Sequence, residues 1–421
     1  MRAALRTKTG RHTQLVFFGQ IATAAAGFGI NVLLLRCLSV DEYGLFSLFL
    51  STQLLLMGFM HMGWIETFVR FGAKFLGAPQ FDALRSYLLR KTLVASAGVG
   101  LLAAAAGSFV SQHLYHRPPF TPYFRAAVLT GFLMCVFTFF QSDYRARQDF
   151  NRYVITQVGS NAARLLCVAV AIPLGVLGLP QTVAIYLLVT AAFIGFCVVD
   201  TRTRGGTEPR APLDPGLIRE MKSYNGWLLL SFFTTNVTSN IDSHVLAYYH
   251  ANETLSSFAA ASRLTLPLQF AAVALQTTLM PRLSAAKDRS EFEFYLGRMK
   301  LFVVPFLAVT SLACWLAPPV LIWLAGPHYA GISSLIRLQI VSNTIMLLVN
   351  PVGIVVYAWG WTRLLAFLNL AQLAVDLALD LLWIPRWGAA GAVGATLVMN
   401  VLGLVVIYIA LWWGMRREKF V

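Results

Sequence analysis

The sequence has few charged residues and few cysteines. Only 12% of its 421 residues are charged, against about 25% in ordinary soluble domains, while 57% are hydrophobic. So few charges could not cover the surface of a soluble globular protein of this length, so that class is excluded. The five cysteines are scattered through apolar stretches without a CxxC pair, which excludes a zinc site or a disulfide framework. We therefore expect an integral membrane protein with inert thiols.

The charge that is present is mainly positive. Lys and Arg number 33 against 18 Asp and Glu, a net charge of +15. In a soluble chain this excess would indicate a nucleic-acid partner, but here the basic residues lie mainly between apolar runs, as in membrane proteins. The positive charge therefore indicates membrane topology, and we expect no nucleic-acid partner.

Long uncharged runs predict the membrane spans, because a spanning helix needs about 20 apolar residues. Eight runs are uncharged, and four further spans each contain one or two charges, which gives twelve. The uncharged runs are Gln14–Leu35, Tyr43–Ile65, Thr92–Gln112, Ala126–Ser142, Gln181–Val199, Leu301–Pro327, Leu338–Thr362 and Trp387–Met415. The charged spans are Tyr153–Val176, Ser223–Ala247, Thr254–Met280 and Arg363–Ile384.

The distribution of Lys and Arg predicts the orientation of these spans. With the N-terminus inside, the inner segments contain 26 of the 33 basic residues and the outer segments only four. Basic residues concentrate on the cytoplasmic side of membrane proteins. We therefore expect both termini to be cytoplasmic.

The longest hydrophilic interruption separates two halves of six predicted spans. It is rich in Gly, Pro and charge, which is typical of a linker. We therefore predict an N-terminal lobe over residues 1–200, a cytoplasmic linker over 201–222 and a C-terminal lobe over 223–421. The segment LRCLSVDEYGLFSL at Leu35 aligns with AYYHANETLSSFAA at Ala247, an offset of 212 residues. This match indicates parallel repeats related by a pseudo-two-fold axis along the membrane normal.

Several segments together resemble a known family. They are LLLRCLSVDEYGLFSL and MGWIETFVRFGA in the first half, then NIDSHVLAYYHANETLSSFAAASRL, TTLMPRLSAAKD and DLLWIPRWGAAGAVGATLVMN. The chain resembles the polysaccharide-export flippases, the O-antigen and capsule translocases of the multidrug/oligosaccharidyl-lipid/polysaccharide (MOP) exporter superfamily. One departure is Asp380, at a position where such segments often carry Asn or another neutral residue.

The resemblance implies an all-α fold of twelve membrane helices in two six-helix lobes, with a V-shaped central cleft and alternating access. It implies as cargo an oligosaccharide on undecaprenyl diphosphate, such as an O-antigen, capsule or exopolysaccharide repeat unit. This cargo would be flipped across the bacterial inner membrane without catalysis. A polysaccharide polymerase and glycosyltransferases would be the protein partners.

Basic residues at or within the spans are candidates for holding the diphosphate. A charged side chain facing lipid is costly, so such residues usually face a bundle interior or a wet cavity. Arginine binds phosphate through bidentate hydrogen bonds and keeps its charge when partly buried. The alternatives are a structural ion pair, above all Arg263 with Asp242, or an interfacial snorkelling role for Arg70 and Lys74. The basic candidates are Arg70, Lys74, Arg164, Arg263 and Arg337.

The seventh predicted span carries an unusual polar face of Thr235, Thr238, Ser239 and Asp242. The hydroxyls are candidates for binding sugar, and interhelical hydrogen bonding is the alternative. Asp242 is the strongest candidate for a coupling proton or sodium ion. Asp376 and Asp380, four residues apart on one helical face, are further candidates, since they repel unless a cation or an arginine lies between them.

Two rival functions remain open. A cation-coupled antiporter of the multidrug (MATE) branch shares the architecture, but the membrane arginines argue against cationic substrates. A membrane polysaccharide polymerase would need larger loops than the one from about His113 to Arg125, and no DxD signature is present. We therefore expect no catalytic residue, no resident metal and no cofactor.

Overall fold

The computed structural model describes residues 8–202, 213–269, 289–358 and 362–416. Among these residues every regular element is helical. In chain order the α-helices are α1 Lys8–Cys37, α2 Val40–His61, α3 Trp64–Lys74, α4 Phe81–Phe109, α5 Thr121–Ala146, α6 Phe150–Ala171, α7 Leu179–Arg202, α8 Pro215–Tyr249, α9 Asn252–Leu264, α10 Arg289–Ala325, α11 Ser333–Ala358, α12 Thr362–Trp387 and α13 Ala389–Arg416.

Nine segments of the described chain are long and apolar enough to cross a membrane, which makes the protein an all-α, multi-pass membrane protein. They fall on α1, α2, α4 to α7, α10, α12 and α13. Each of the twelve predicted spans overlaps a described helix, although those on α8, α9 and α11 are not among the nine. The predicted span 254–280 is described only in part, because residues 270–288 lie outside the description. The number twelve therefore stays a prediction.

The chain forms two compact units. One contains Met1–Leu38 and Leu45–Asn240, and the other contains Ser39–Gly44 and Ile241–Val421. The long helix α8 contributes its first part to the first unit and its last residues to the second.

In the first unit, aromatic side chains join α3 to α5, and a buried ion network joins α4 to α5. Phe68 of α3 stacks on Phe139 of α5 with ring centroids 5.0 Å apart. The fully buried Asp143 accepts hydrogen bonds from Arg85 Nε at 2.8 Å and Arg147 Nε at 2.9 Å. A buried carboxylate is tolerated when it is paired and hydrogen-bonded in this way, so the network fixes the adjoining ends of α4 and α5.

In the second unit, a capping box starts α2. Ser39 Oγ accepts a hydrogen bond from the Glu42 amide at 3.2 Å, and Glu42 Oε2 accepts one from the Ser39 amide at 3.1 Å. The helix begins at Val40, and α9 begins at Asn252, which is the offset of 212 that the repeat predicts. This spacing supports the repeat, which stays a prediction.

The turn between α12 and α13 is unusually tight. Gly388 has a φ of 53°, and a Cβ on Gly391 would lie 2.6 Å from the Trp383 carbonyl oxygen. Only glycine allows both the left-handed backbone and this close approach. His250 Nε2, at the end of α8, lies 2.6 Å from the Ile384 carbonyl oxygen and ties that helix to the same turn.

Candidate functional site

Three carboxylates meet inside the second unit. Carboxylate oxygens of Asp242, Asp376 and Asp380 all lie within 4.8 Å of one another. Asp376 and Asp380 are buried and Asp242 is half-buried. We call these three residues the carboxylate triad.

The helices explain why the triad assembles. Asp376 and Asp380 are one helical turn apart on α12, so they share a face. The tight turn after Trp387 brings the start of α13, with Thr396, back alongside them. Asp242 comes from the last turns of α8, whose end is held to the α12–α13 turn through His250.

The triad has few hydrogen-bond donors. Thr396 Oγ1 donates to Asp242 Oδ2 at 3.1 Å. Asp242 and Asp380 are close enough to share a proton between their carboxyls. Apart from such a proton, Asp376 Oδ1 and both Asp380 oxygens are buried without a donor from the part of the chain that the structure describes.

No lysine or arginine of the described residues forms an ion pair with the triad. Three carboxylates this close together, two of them buried and one half-buried, cannot all be ionised unless positive charge neutralises them, since both repulsion and desolvation oppose their charged forms. Protons or a hard cation, which prefers oxygen ligands, meet this requirement. The arrangement is chemically suited to bind and release cations.

The structural ion pair considered for Arg263 is not formed. Arg263 is half-buried on α9, and within the described ranges no ion pair joins it to Asp242. Arg337 is exposed on α11, where its Nε donates to the Cys314 carbonyl oxygen at 3.1 Å. The structure thus brings three acidic residues together without the arginine that was considered as a partner of Asp242.

Arg164 is buried in the first unit, between α5, α6 and α7. Its Nη2 donates to Thr190 Oγ1 at 2.8 Å, and its guanidinium lies 5.1 Å from the centroid of the Tyr186 ring. Its Nε is buried without a hydrogen-bond partner among the described residues. Arg164 is buried from solvent, and no carboxylate of the described chain forms an ion pair with it. Its positive charge is therefore stabilised by a hydroxyl group and by the face of an aromatic ring.

Arg70 and Lys74 lie on α3, in the first unit, and both are exposed. The guanidinium of Arg70 stacks over the Tyr224 ring of α8 at 4.2 Å from the centroid. Both side chains are accessible to an anionic group, whether of a substrate or of a lipid.

The predicted hydroxyl face of α8 bonds to its own helix. Thr238 donates to the Thr234 carbonyl oxygen at 2.9 Å, and Ser239 donates to the Thr235 carbonyl oxygen at 2.8 Å. Thr235 and Ser239 are exposed and Thr238 is half-buried. Hydroxyls satisfied in this way retain lone pairs that can accept a hydrogen bond from a sugar.

Sequence reasoning missed the partners of the charged candidates. Thr396 stands alone in an apolar run, and Thr190 and Tyr186 lie one turn apart in another. A hydroxyl-bearing residue in a spanning run is the signal that could have found them, because such side chains often hydrogen-bond to neighbouring helices in a membrane.

A family model described as polysaccharide biosynthesis protein matches residues 10–287 of the chain. No curated protein sequence matches it. Among solved structures, the chain is similar to the lipid II flippase MurJ in an inward closed conformation, with a TM-score of 0.76 and 13% identity, over 94% of this chain and 87% of that one.

It is also similar to a multidrug resistance MATE family transporter of the MOP superfamily in an inward-facing conformation, with a TM-score of 0.73, 15% identity and 94% of each chain covered. A MOP superfamily transporter from Pyrococcus furiosus, whose binding pocket is described as having reverse polarity, gives a TM-score of 0.67 and 15% identity over 97% of this chain and 95% of that one. At these identities the similarities show a shared fold.

Proposed function

The chain belongs to the family of polysaccharide biosynthesis proteins and has the fold of MOP-superfamily transporters, and from this premise we propose that it is a flippase for lipid-linked oligosaccharides. The proposed cargo is a repeat unit on undecaprenyl diphosphate, moved across the bacterial inner membrane by alternating access. The observation that carries this proposal is the family match over residues 10–287 together with a fold similar to that of a lipid II flippase.

The diphosphate needs positive charge on its path. We propose that the exposed or half-buried basic residues Arg70, Lys74, Arg263 and Arg337 contact it, and that Arg164 supports the surrounding bundle or receives the anion at a further step. The hydroxyls of Thr235, Thr238 and Ser239 are proposed to accept hydrogen bonds from the glycan.

Binding of the purified protein to undecaprenyl diphosphate and to its oligosaccharide-linked form tests this step. We expect wild type to bind both lipids and Arg263→Gln to lose most of the affinity, because one phosphate contact is removed without removing side-chain volume. Arg125→Gln is a matched control, since Arg125 is exposed outside the candidate set and bonds Ser108. Equal loss in both variants, or no binding by wild type, would contradict the proposal.

We propose that the carboxylate triad binds the cation whose gradient drives transport, either a proton or Na⁺. Its buried, unpartnered oxygens support this role, because they need positive charge that the described chain does not supply. Thermal unfolding in buffers that differ in Na⁺ concentration or pH tests it. We expect wild-type Tm to respond to at least one of these cations and Asp242→Asn to lose most of that response.

Asp82→Asn is the control for the triad, because Asp82 is an exposed acid of the first unit. It should keep the wild-type response. A response that is the same in wild type, Asp242→Asn and Asp82→Asn would contradict a cation site at the triad.

The second candidate function is a cation-coupled antiporter of the MATE type. The observation that favours it is the triad itself, since cationic substrates prefer acidic surroundings, together with a fold similar to that of a MATE transporter. Binding of an organic cation by wild type, with no binding of undecaprenyl diphosphate, would replace the flippase with this antiporter. The membrane polymerase is not proposed, because the family and the fold are those of transporters.

A further inference from the structure

A second group of buried titratable side chains lies in the first unit, where α2 turns into α3. Helix α2 ends at His61, and Met62 and Gly63 follow with φ angles of 44° and 73°. A left-handed methionine is unusual and needs support from its surroundings. Part of that support comes from His61, whose Nδ1 accepts a hydrogen bond from the Gly63 amide at 3.3 Å.

The other ring nitrogen faces an acid. His61 Nε2 lies 3.1 Å from Glu66 Oε2, and the two side chains are only 11% and 34% exposed. Because Nδ1 accepts a hydrogen bond, the hydrogen bond pattern assigns the proton of the neutral ring to Nε2, on the side of Glu66. The pair thus consists of a neutral imidazole that donates from Nε2 to the Glu66 carboxylate, and a single turn of backbone connects the two residues.

The charges around the pair come from α5. Arg145 lies close enough to act electrostatically on both His61 and Glu66, and its Nη2 donates to Ser142 Oγ at 2.8 Å. Arg145 also stacks over the Tyr153 ring of α6 at 5.7 Å. Burial raises the pKa of the Glu66 carboxyl, and the nearby Arg145 opposes this shift.

The contacts of α8 with this turn that the structure describes are made by uncharged groups. The Phe232 ring lies 5.4 Å from that of His61, and Asn225 Oδ1 accepts a hydrogen bond from Thr67 Oγ1 at 3.1 Å. Thr67 also donates to the Gly63 carbonyl oxygen at 3.0 Å. The packing of α3 on α8 and the backbone of the turn therefore depend on the same residue, Thr67, whose single hydroxyl hydrogen is shared between Gly63 and Asn225.

We propose that His61 and Glu66 form a proton-binding site, separate from the carboxylate triad, that controls the α2–α3 turn. A proton taken from water adds to Nδ1 and leaves an imidazolium paired with the Glu66 carboxylate. Nδ1 then carries hydrogen and can no longer accept from the Gly63 amide, so the hydrogen bond that supports the left-handed turn is lost. Protonation loosens the start of α3, the helix that carries Arg70 and Lys74.

Hydrogen–deuterium exchange of the purified full-length protein tests this inference without reference to any cargo. Exchange in peptides covering residues 61–68 is measured between about pH 8 and pH 4 and corrected for the intrinsic rate; the range extends below that of an exposed histidine because the pair is buried beside Arg145. In wild type we expect the corrected exchange of this segment to rise several-fold at the acidic end. His61→Gln should abolish the rise, because glutamine does not titrate in this range and its amide can still donate to Glu66.

Glu66→Gln gives an independent variant. Without the carboxylate the imidazolium is less stabilised, so the midpoint of the rise should move to lower pH. His250→Gln is the matched control, since His250 bonds a backbone carbonyl elsewhere, and it should leave the midpoint unchanged. A flat wild-type profile, an unchanged rise in His61→Gln or an unchanged midpoint in Glu66→Gln would overturn the inference.

Discussion

At the scale of single residues, buried charges in this protein are supported in two different ways. Asp143 is paired with two arginines, whereas Arg164 has a hydroxyl and an aromatic ring and no acid among the described residues. Breaking one contact of a buried charge leaves that charge unsatisfied, and such losses are larger than the net worth of the contact.

Thr190→Val should therefore destabilise the protein by about 1–3 kcal/mol, because Arg164 loses its hydroxyl partner. The loss should shrink in the double variant with Arg164→Met, where no buried cation remains to be satisfied. Thr182→Val is the control, since the hydrogen bond that the described structure shows for the Thr182 hydroxyl goes to the carbonyl oxygen of Gly178, just before the same helix. Chemical denaturation measures wild type, Thr190→Val, Arg164→Met, the double variant and the control; additive losses would show that the Arg164–Thr190 bond has no role in stability.

In the triad, removing one charge should stabilise the protein, because three negative charges lie close together and repel one another. In buffer without Na⁺ we expect Asp380→Asn to raise Tm by about 1 °C for each 1 kcal/mol of repulsion relieved, since this shift becomes smaller as chain length rises. The same variant should respond less to added cation, because one ligand charge is gone. A lower Tm with an undiminished cation response would contradict the electrostatic account of the triad.

At the scale of elements, the α12–α13 turn brings together parts of the triad that lie far apart in the sequence. Gly391→Ala should destabilise the protein and weaken its response to cations, because the added Cβ would meet the Trp383 carbonyl oxygen at 2.6 Å. Gly195→Ala, in a helix with nothing within 4 Å, should be neutral or stabilising by up to about 1 kcal/mol. Equal effects of the two changes on Tm would argue against a tight turn.

The packing of helices also decides which parts of the site could be predicted from the sequence. That Asp376 and Asp380 share a face follows from their spacing alone. That Asp242 joins them, rather than pairing with Arg263, depends on how α8 packs against α12, which no local pattern encodes. The His61–Glu66 pair was missed for a similar reason, since its two residues belong to different helices connected by a left-handed turn.

At the scale of the whole molecule, composition and the distribution of apolar runs predict an all-α membrane protein, and the structure and the comparisons confirm this class. The family was also predicted, from motifs placed at helix boundaries, and the family match confirms it. The cargo was not predictable from physical reasoning. Specificity for a glycan depends on a few hydroxyl groups and aromatic rings, and a single sequence does not identify which residues provide them.

The predicted topology can be measured directly. We expect reporter fusions at residue 421 and at residue 222 to indicate the cytoplasm, and a fusion at Arg117 the opposite side, because 26 of the 33 basic residues then lie inside. Opposite locations for the first two fusions would require an odd number of spans between residues 222 and 421 and would contradict the twelve-helix prediction.

The most direct test of the proposed function is lipid flipping in proteoliposomes. The purified protein is reconstituted with undecaprenyl diphosphate carrying a labelled oligosaccharide, and the label on the outer leaflet is destroyed by an impermeant reagent. We predict that wild type brings the protected label to the outer leaflet, that an imposed proton or Na⁺ gradient accelerates it, and that Asp242→Asn loses the acceleration. Protection of the inner-leaflet label in wild type equal to that in protein-free vesicles would contradict the assignment as a flippase.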